Sequence, residues 1–148
     1  MAQDLILAIL HHVLVFGLVT LVVSEGVLLR GELPPPLLDR LARMDRAYGL
    51  TAILVIIVGV LRVIFSVKGW EYYVGNLWFW AKMASFAAVG LLSIAPTLRI
   101  LAWRRAAKSD PAFLAPGGEK QSALFYVRAE SVFIVLILVF AATMARFG

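Results

Sequence analysis

The sequence contains no cysteine. This absence excludes disulfide bonds, thiolate metal sites, iron–sulfur clusters and cysteine nucleophiles. Charged residues are scarce as well, at 16% of the chain. The sequence also lacks a glycine-rich phosphate loop, a zinc-binding HExxH helix and a GxSxG nucleophile elbow. The common signatures of nucleotide, metalloprotease and serine-hydrolase chemistry are therefore absent.

Apolar residues are abundant instead. They make up 62% of the 148 residues, and the mean hydropathy is +0.92, whereas soluble domains have roughly 45–50% apolar residues. Basic residues exceed acidic ones by 14 to 9. In so apolar a chain, this excess indicates loops at an anionic membrane surface and a lipid bilayer as partner, with no nucleic acid. The length favours a single transmembrane domain over residues 1–148.

Four apolar stretches are long enough to cross a bilayer as helices, which takes about 20 residues each. Barrel strands would instead alternate over about ten residues. The first stretch lacks a basic N-terminal region and is long for a signal peptide, so we interpret it as a mature span. The sequence predicts an all-α integral membrane four-helix bundle. Its spans cover residues 5–29, 48–67, 77–102 and 123–144.

Lys and Arg are unevenly distributed among the connections between spans. Nine lie in the connections after the first and third spans, counting Arg99 near the end of the third span, and two lie in the second connection and the C-terminal tail. Because short cytoplasmic loops are enriched in basic residues, we expect the first and third connections in the cytoplasm. Both termini are then expected on the outer side.

The first connection also predicts a short helix of its own. Gly31 and the prolines at 34–36 interrupt the chain, and residues 37–44 read LLDRLARM. Their leucines fall on one helical face and their charges on the other, which is typical of a helix lying on the cytoplasmic membrane surface. The second connection is rich in aromatic residues that favour the membrane interface.

The outer half of the spans contains four basic side chains: His11, His12, Arg62 and Lys82. A charge at bilayer depth costs roughly 2.5–3.5 kcal/mol, so each is a functional candidate. Histidine is a common metal ligand and the usual axial ligand of b-type haem, and Arg62 and Lys82 suit haem carboxylates. The alternative is that the histidines bond to neighbouring helices while Arg62 and Lys82 extend to the interface.

Helical spacing sorts these side chains by face. Adjacent residues diverge by about 100°, so only one histidine is expected to point into the bundle. His11 shares a stripe with Leu18 and Glu25, each seven residues apart. Tyr48 and Arg62 are likewise separated by multiples of seven and are expected on one interior face.

The inner half of the spans contains an acidic set. Glu25, Asp45 and Glu130 lie near the cytoplasmic ends of three spans. One hypothesis is that Glu25 and Glu130 form a carboxylate pair that handles protons. The other is that these residues make ion pairs with nearby arginines, namely Arg46, Arg99 or Arg128.

The sequence resembles domain-of-unknown-function family 2214, a family of bacterial membrane proteins. The resemblance covers essentially the whole chain and includes HHVLVFGLVTLVVSEGVLLR, MDRAYGLTAILVIIVGVLRVIFSVKGWEYYVGNLWFWAKM and GLLSIAPTLRILAWRR. It implies four membrane helices, without an assigned activity. With the basic loops, it places the chain in a bacterial inner membrane, with both termini in the periplasm.

A second resemblance is to HemJ-type protoporphyrinogen oxidase and the broader CopD-like group. It rests on an early histidine in span one, a late arginine in span two and an aromatic residue before Lys82. It implies haem b bound by His11 or His12. In that hypothesis we expect Tyr72 and Tyr73 to close the outer mouth of the site. Span two lacks a histidine, so a sixth ligand would come from Met83, from Met144 or from a second subunit.

Three hypotheses for the function follow. The first is a haem-binding or porphyrin-handling redox protein, with the question of enzymatic activity open. The alternative is an accessory subunit of a larger energy-transducing or transport complex. The third is an oligomeric transporter that uses Glu25 and Glu130 as proton-coupled carboxylates. A homo-oligomer or a larger membrane complex is expected in each case.

Overall fold

The computed structural model describes residues 2–147, which contain five helices and no strand. Four of the helices are long and apolar enough to cross a membrane. The predicted all-α architecture with four spanning helices is therefore confirmed. The helices are α1 (Ala2–Leu28), α2 (Pro35–Ile64), α3 (Trp70–Val74), α4 (Leu77–Ser109) and α5 (Gly117–Phe147).

The four long helices form a ring in which α1 packs on α2, α2 on α4, α4 on α5 and α5 on α1. The α1–α2 and α4–α5 contacts are the most extensive. Successive long helices run in opposite directions because short segments connect them. We call the end with the α1–α2 and α4–α5 connections the basic end. The opposite end, which contains α3, is the aromatic end.

The prediction of a separate interfacial helix over residues 37–44 is wrong. Helix α2 is continuous from Pro35 to Ile64, so this segment forms its first turns. Leu38, Leu41 and Ala42 are buried inside the protein. An apolar face beside a charged face suits packing on protein as well as on lipid headgroups, and here the protein core covers it. The prolines at 35 and 36 are tolerated because they occupy the first helical positions.

Helices α2, α4 and α5 are longer than a membrane requires. They contain 30, 33 and 31 residues, which corresponds to about 45–50 Å at the helical rise. The hydrocarbon core is about 30 Å thick. At the basic end, side-chain contacts join the helices: Arg104 Nε donates to Asp39 at 2.7 Å, and Trp103 Nε1 donates to Glu119 at 2.6 Å.

The buried core lies mainly in the half of the bundle toward the basic end. The helix halves toward the aromatic end contribute only Val55, Val58, Ser85, Val89 and Ile134 within residues 2–147. The other half is filled by side chains from all four long helices and from the first connection. They include Leu18, Val22, Leu29, Leu33, Leu38, Leu41, Tyr48, Ile100, Trp103, Ala123 and Val127.

Candidate functional site

The two histidines of α1 point in different directions. His11 faces the bundle, whereas His12 is exposed and its Nδ1 lies 2.6 Å from the backbone oxygen of Ala8. The two rings are perpendicular, with centroids 6.5 Å apart. The stripe that His11 shares with Leu18 and Glu25 predicts this arrangement, because both of those residues are buried. His11 is therefore the histidine available to a site inside the bundle.

His11 lines an apolar pocket of about 180 Å³ near the aromatic end. The pocket lies mainly between α2 and α4, and exposed residues such as Ile56 and Val60 form part of its wall. It therefore opens toward the lipid-facing surface. We call it the histidine pocket, and the residues that matter below are His11, Gly59, Phe79, Lys82, Met83 and Phe86.

Two features describe the surroundings of the His11 ring. Its Nδ1 is buried and has no hydrogen-bond partner. Gly59 packs against it, since a Cβ atom at this position would lie 3.4 Å from His11 Cε1. Gly59 is not among the residues predicted to form the site. Its position four residues after Val55, on the interior face of α2, is the signal that identifies it.

Arg62 and Lys82 are the cationic side chains near His11. Arg62 does not line the pocket, but its Nε is buried without a hydrogen-bond partner. Lys82 lines the pocket, with its Nζ 5.2 Å from the Phe79 ring centroid. In the described chain neither cation takes part in a salt bridge, so this arrangement suits a ligand with an anionic group.

Tyr72 lies outside the histidine pocket. Its hydroxyl donates to the backbone oxygen of Met144 at 3.2 Å and accepts from Lys68 Nζ at 3.1 Å. It connects α3 to the end of α5. The structure therefore does not bring Tyr72 together with the other residues of the predicted cofactor site.

The two histidines do not form a joint metal site in this structure, because only His11 faces the bundle. No group of three or more His, Cys, Asp or Glu residues that could hold a metal ion occurs within residues 2–147. Of the two methionines considered as haem ligands, Met83 lines the histidine pocket and Met144 does not.

Three carboxyl groups come together at the level where the spans approach the basic end. Glu25 is 2% exposed, Glu130 is 1% exposed and Asp45 is also buried. The Tyr48 hydroxyl donates to Glu130 Oε2 at 2.8 Å, and the Thr97 hydroxyl donates to Asp45 Oδ1 at 2.7 Å. We call these five residues the carboxyl cluster. The Thr97–Asp45 contact joins positions 52 residues apart, and no local pattern indicates it.

The predicted ion pairs of the inner layer are not formed. Glu25 Oε1 and Glu130 Oε1 are buried without a hydrogen-bond partner. Arg46 and Arg128 are exposed, and Arg99 donates to a backbone carbonyl of α5. Within residues 2–147, no salt bridge involves these side chains. The carboxyl cluster is therefore held by hydroxyl donors, and the arginines remain at its periphery.

Comparison with known proteins gives one family. The profile of the family described as Predicted membrane protein (DUF2214) matches residues 3–148. No curated protein and no solved structure matches the chain. The resemblance to this family is thereby confirmed over nearly the whole sequence, and no match supports the resemblance to HemJ-type enzymes.

Proposed function

The chain belongs to the DUF2214 family of predicted membrane proteins, and we propose that it binds a haem or porphyrin through the histidine pocket. The observation that carries this proposal is the position of His11. Its ring lines an apolar pocket that opens to lipid, with a buried nitrogen that has no partner. Lys82 lines the same pocket, and Arg62 is the other cationic side chain near His11.

The donor set is compatible with a tetrapyrrole. An imidazole is the usual axial ligand of b-type haem, and a methionine can serve as the second ligand. His11 would hold the iron, and Met83 lines the same pocket as a sulfur donor. Arg62 and Lys82 would pair with ring carboxylates, whose charge would offset two cations at membrane depth. Haem b, when bound, would supply one-electron redox chemistry.

The size of the histidine pocket limits how such a ligand would sit. Its volume of about 180 Å³ is close to the roughly 150 Å³ of a cavity that binds benzene. Pockets that enclose a drug-sized ligand hold about 300–1,000 Å³. The pocket would therefore hold only the part of the ring next to His11, and the remainder would lie in the opening between α2 and α4.

An absorption spectrum of the protein purified in mild detergent tests the proposal. We expect a Soret band and reducible α/β bands from cells with an adequate haem supply. His11→Ala should abolish the bands, while the matched His12→Ala should retain them because His12 is exposed and lies outside the pocket. A featureless wild-type spectrum would refute haem binding. Bands that persist in folded His11→Ala would exclude this ligand.

The second candidate is an accessory subunit of a larger membrane complex. It is favoured by the short segments between the helices, which cover residues 29–34, 65–69, 75–76 and 110–116. The described chain therefore offers partners little besides helix faces and short loops. Mild detergent extraction should then recover one large partner at fixed stoichiometry. A solitary, monodisperse protein would argue against this role.

We further propose that the basic end faces the cytoplasm and that both termini face the periplasm of a bacterial inner membrane. The distribution of Lys and Arg supports this orientation. The cysteine-free chain suits a labelling test. A membrane-impermeant maleimide applied to intact spheroplasts should label Glu71→Cys and leave Ala112→Cys unlabelled until the membrane is opened. The reverse pattern would invert the orientation.

A further inference from the structure

The carboxyl cluster is separate from the histidine pocket. Along α1, the fourteen residues from His11 to Glu25 correspond to about 21 Å. None of the five cluster residues lines the pocket. The haem proposal therefore leaves this buried polar group without a role.

The cluster has no internal source of positive charge. Helix α1 contributes Glu25, α2 contributes Asp45 and Tyr48, and α5 contributes Glu130. From α4 comes only the hydroxyl of Thr97. Within residues 2–147, no lysine, arginine or histidine donates a hydrogen bond to these carboxyls, and no salt bridge involves them.

The hydrogen bonds distinguish the three carboxyls. Asp45 accepts from Thr97, and Glu130 accepts from Tyr48 through Oε2. Glu25 is only 2% exposed, and no donor contacts its Oε1. An ionised carboxylate can only accept hydrogen bonds, whereas a protonated one donates through its O–H. Glu130 Oε1 is a buried acceptor in the cluster that has no donor.

We propose that the carboxyl cluster is a proton-binding site in which Glu25 holds a proton and Glu130 accepts its hydrogen bond. Three ionised carboxylates would repel one another in a site removed from water and without a counter-ion, and uptake of a proton relieves both costs. The proton gives Glu25 a donor and Glu130 a second hydrogen bond.

The surroundings of the site support a dry environment. Val22 lies one turn from Glu25 on α1, and Val127 lies one turn from Glu130 on α5; both are buried. Leu38 and Leu41 fill the core toward the basic end. These apolar side chains exclude bulk water from the carboxyls. A proton, the smallest possible ligand, therefore suits this site.

Infrared difference spectroscopy on the full chain tests this proposal without reference to haem. We expect wild-type protein at neutral pH to show the C=O stretch of a protonated carboxyl, with a downshift in D₂O. Glu25→Gln should remove this band, because glutamine resembles a neutral carboxyl but has no titratable proton. Asp39→Asn, which changes a half-buried carboxylate at the basic end, is the matched control and should retain it.

Three outcomes would overturn the proposal. One is the absence of a protonated-carboxyl band in folded wild-type protein at neutral pH, and another is its persistence in folded Glu25→Gln. The third is loss of the band on addition of sodium at constant pH, which would identify a cation site instead. The wild-type spectrum and its sodium dependence decide the matter even where Glu25→Gln fails to fold. Haem binding at the histidine pocket is measured separately by visible absorption, so the two proposals can fail independently.

Discussion

At the basic end of the bundle, side chains from all four long helices fill the interior, and the hydroxyls of Tyr48 and Thr97 donate to buried carboxyls, while Oε1 of Glu25 and Oε1 of Glu130 have no partner. At the aromatic end, a pocket of about 180 Å³ opens to lipid, and buried nitrogens of His11 and Arg62 have no partner. The same four helices build both ends. The difference lies in which side chains they present.

This contrast separates two tasks. A closely packed interior loses contacts whenever a side chain is shortened, so it is expected to carry most of the stability. Binding sites are commonly drawn from less stable regions, where a ligand can still satisfy free groups. We therefore expect truncations in the apolar core at the basic end to affect folding most, and changes at the histidine pocket to affect binding of a ligand there.

Among the changes that test this contrast, Leu41→Ala should have the largest effect on the free energy of unfolding. Leu41 is 0% exposed, and truncation of a buried leucine costs about 2–5 kcal/mol of unfolding free energy. The matched change on the same helix is Leu50→Ala, where the side chain is 57% exposed. It should cost less than about 0.5 kcal/mol. Unfolding in mixed detergent micelles measures both, and equal losses would contradict a core concentrated at the basic end.

Tyr48→Phe and Tyr73→Phe compare the same chemical change at the two ends. Tyr48 donates to buried Glu130, whereas the Tyr73 hydroxyl lies 3.0 Å from the Ser66 hydroxyl at a part-buried position. Loss of a partner for a buried polar group costs about 1–3 kcal/mol, and a typical hydrogen bond contributes about 0.5–1.5 kcal/mol. Tyr48→Phe should therefore lower the unfolding free energy more. A larger loss for Tyr73→Phe would reverse the comparison.

Gly49→Ala and Gly59→Ala should have the smallest effects. Alanine in a helix interior is favoured over glycine by roughly 0.5–1 kcal/mol. A Cβ at Gly49 meets nothing within 4 Å, so this variant should gain most of that amount. At Gly59 the added Cβ would lie in van der Waals contact with His11 Cε1, at 3.4 Å, and would take up part of the pocket, so haem occupancy should fall although stability still rises. Equal haem occupancy in the two variants would show that Gly59 does not shape the pocket.

The sequence predicts the spans because hydropathy and length are local properties. It also predicts the interior faces, since the seven-residue spacings of His11, Leu18 and Glu25 reflect helical geometry. The helix ends are predicted less well. Helix α5 begins at Gly117, whereas the predicted span begins at residue 123. Charged turns continue a helix beyond the apolar stretch, and hydropathy excludes them.

The partners of the polar residues were not predictable from local patterns. The arginines near the inner layer suggest ion pairs, but they lie at the surface, and hydroxyls from Tyr48 and Thr97 reach the carboxyls. Which donor reaches Asp45 depends on how α2 and α4 pack. The continuous start of α2 could not be predicted for the same reason, because the apolar face of residues 37–44 can pack on lipid or on protein.

The connectivity of the bundle bears on how it assembles. Helices α1 and α2 form one antiparallel hairpin, and α4 and α5 form a second. Both hydrogen bonds of the carboxyl cluster join one hairpin to the other: Tyr48 to Glu130 and Thr97 to Asp45. Polar contacts of this kind help to hold membrane helices together. The cluster is thus completed only when the two hairpins dock, and its hydrogen bonds select the register in which they meet.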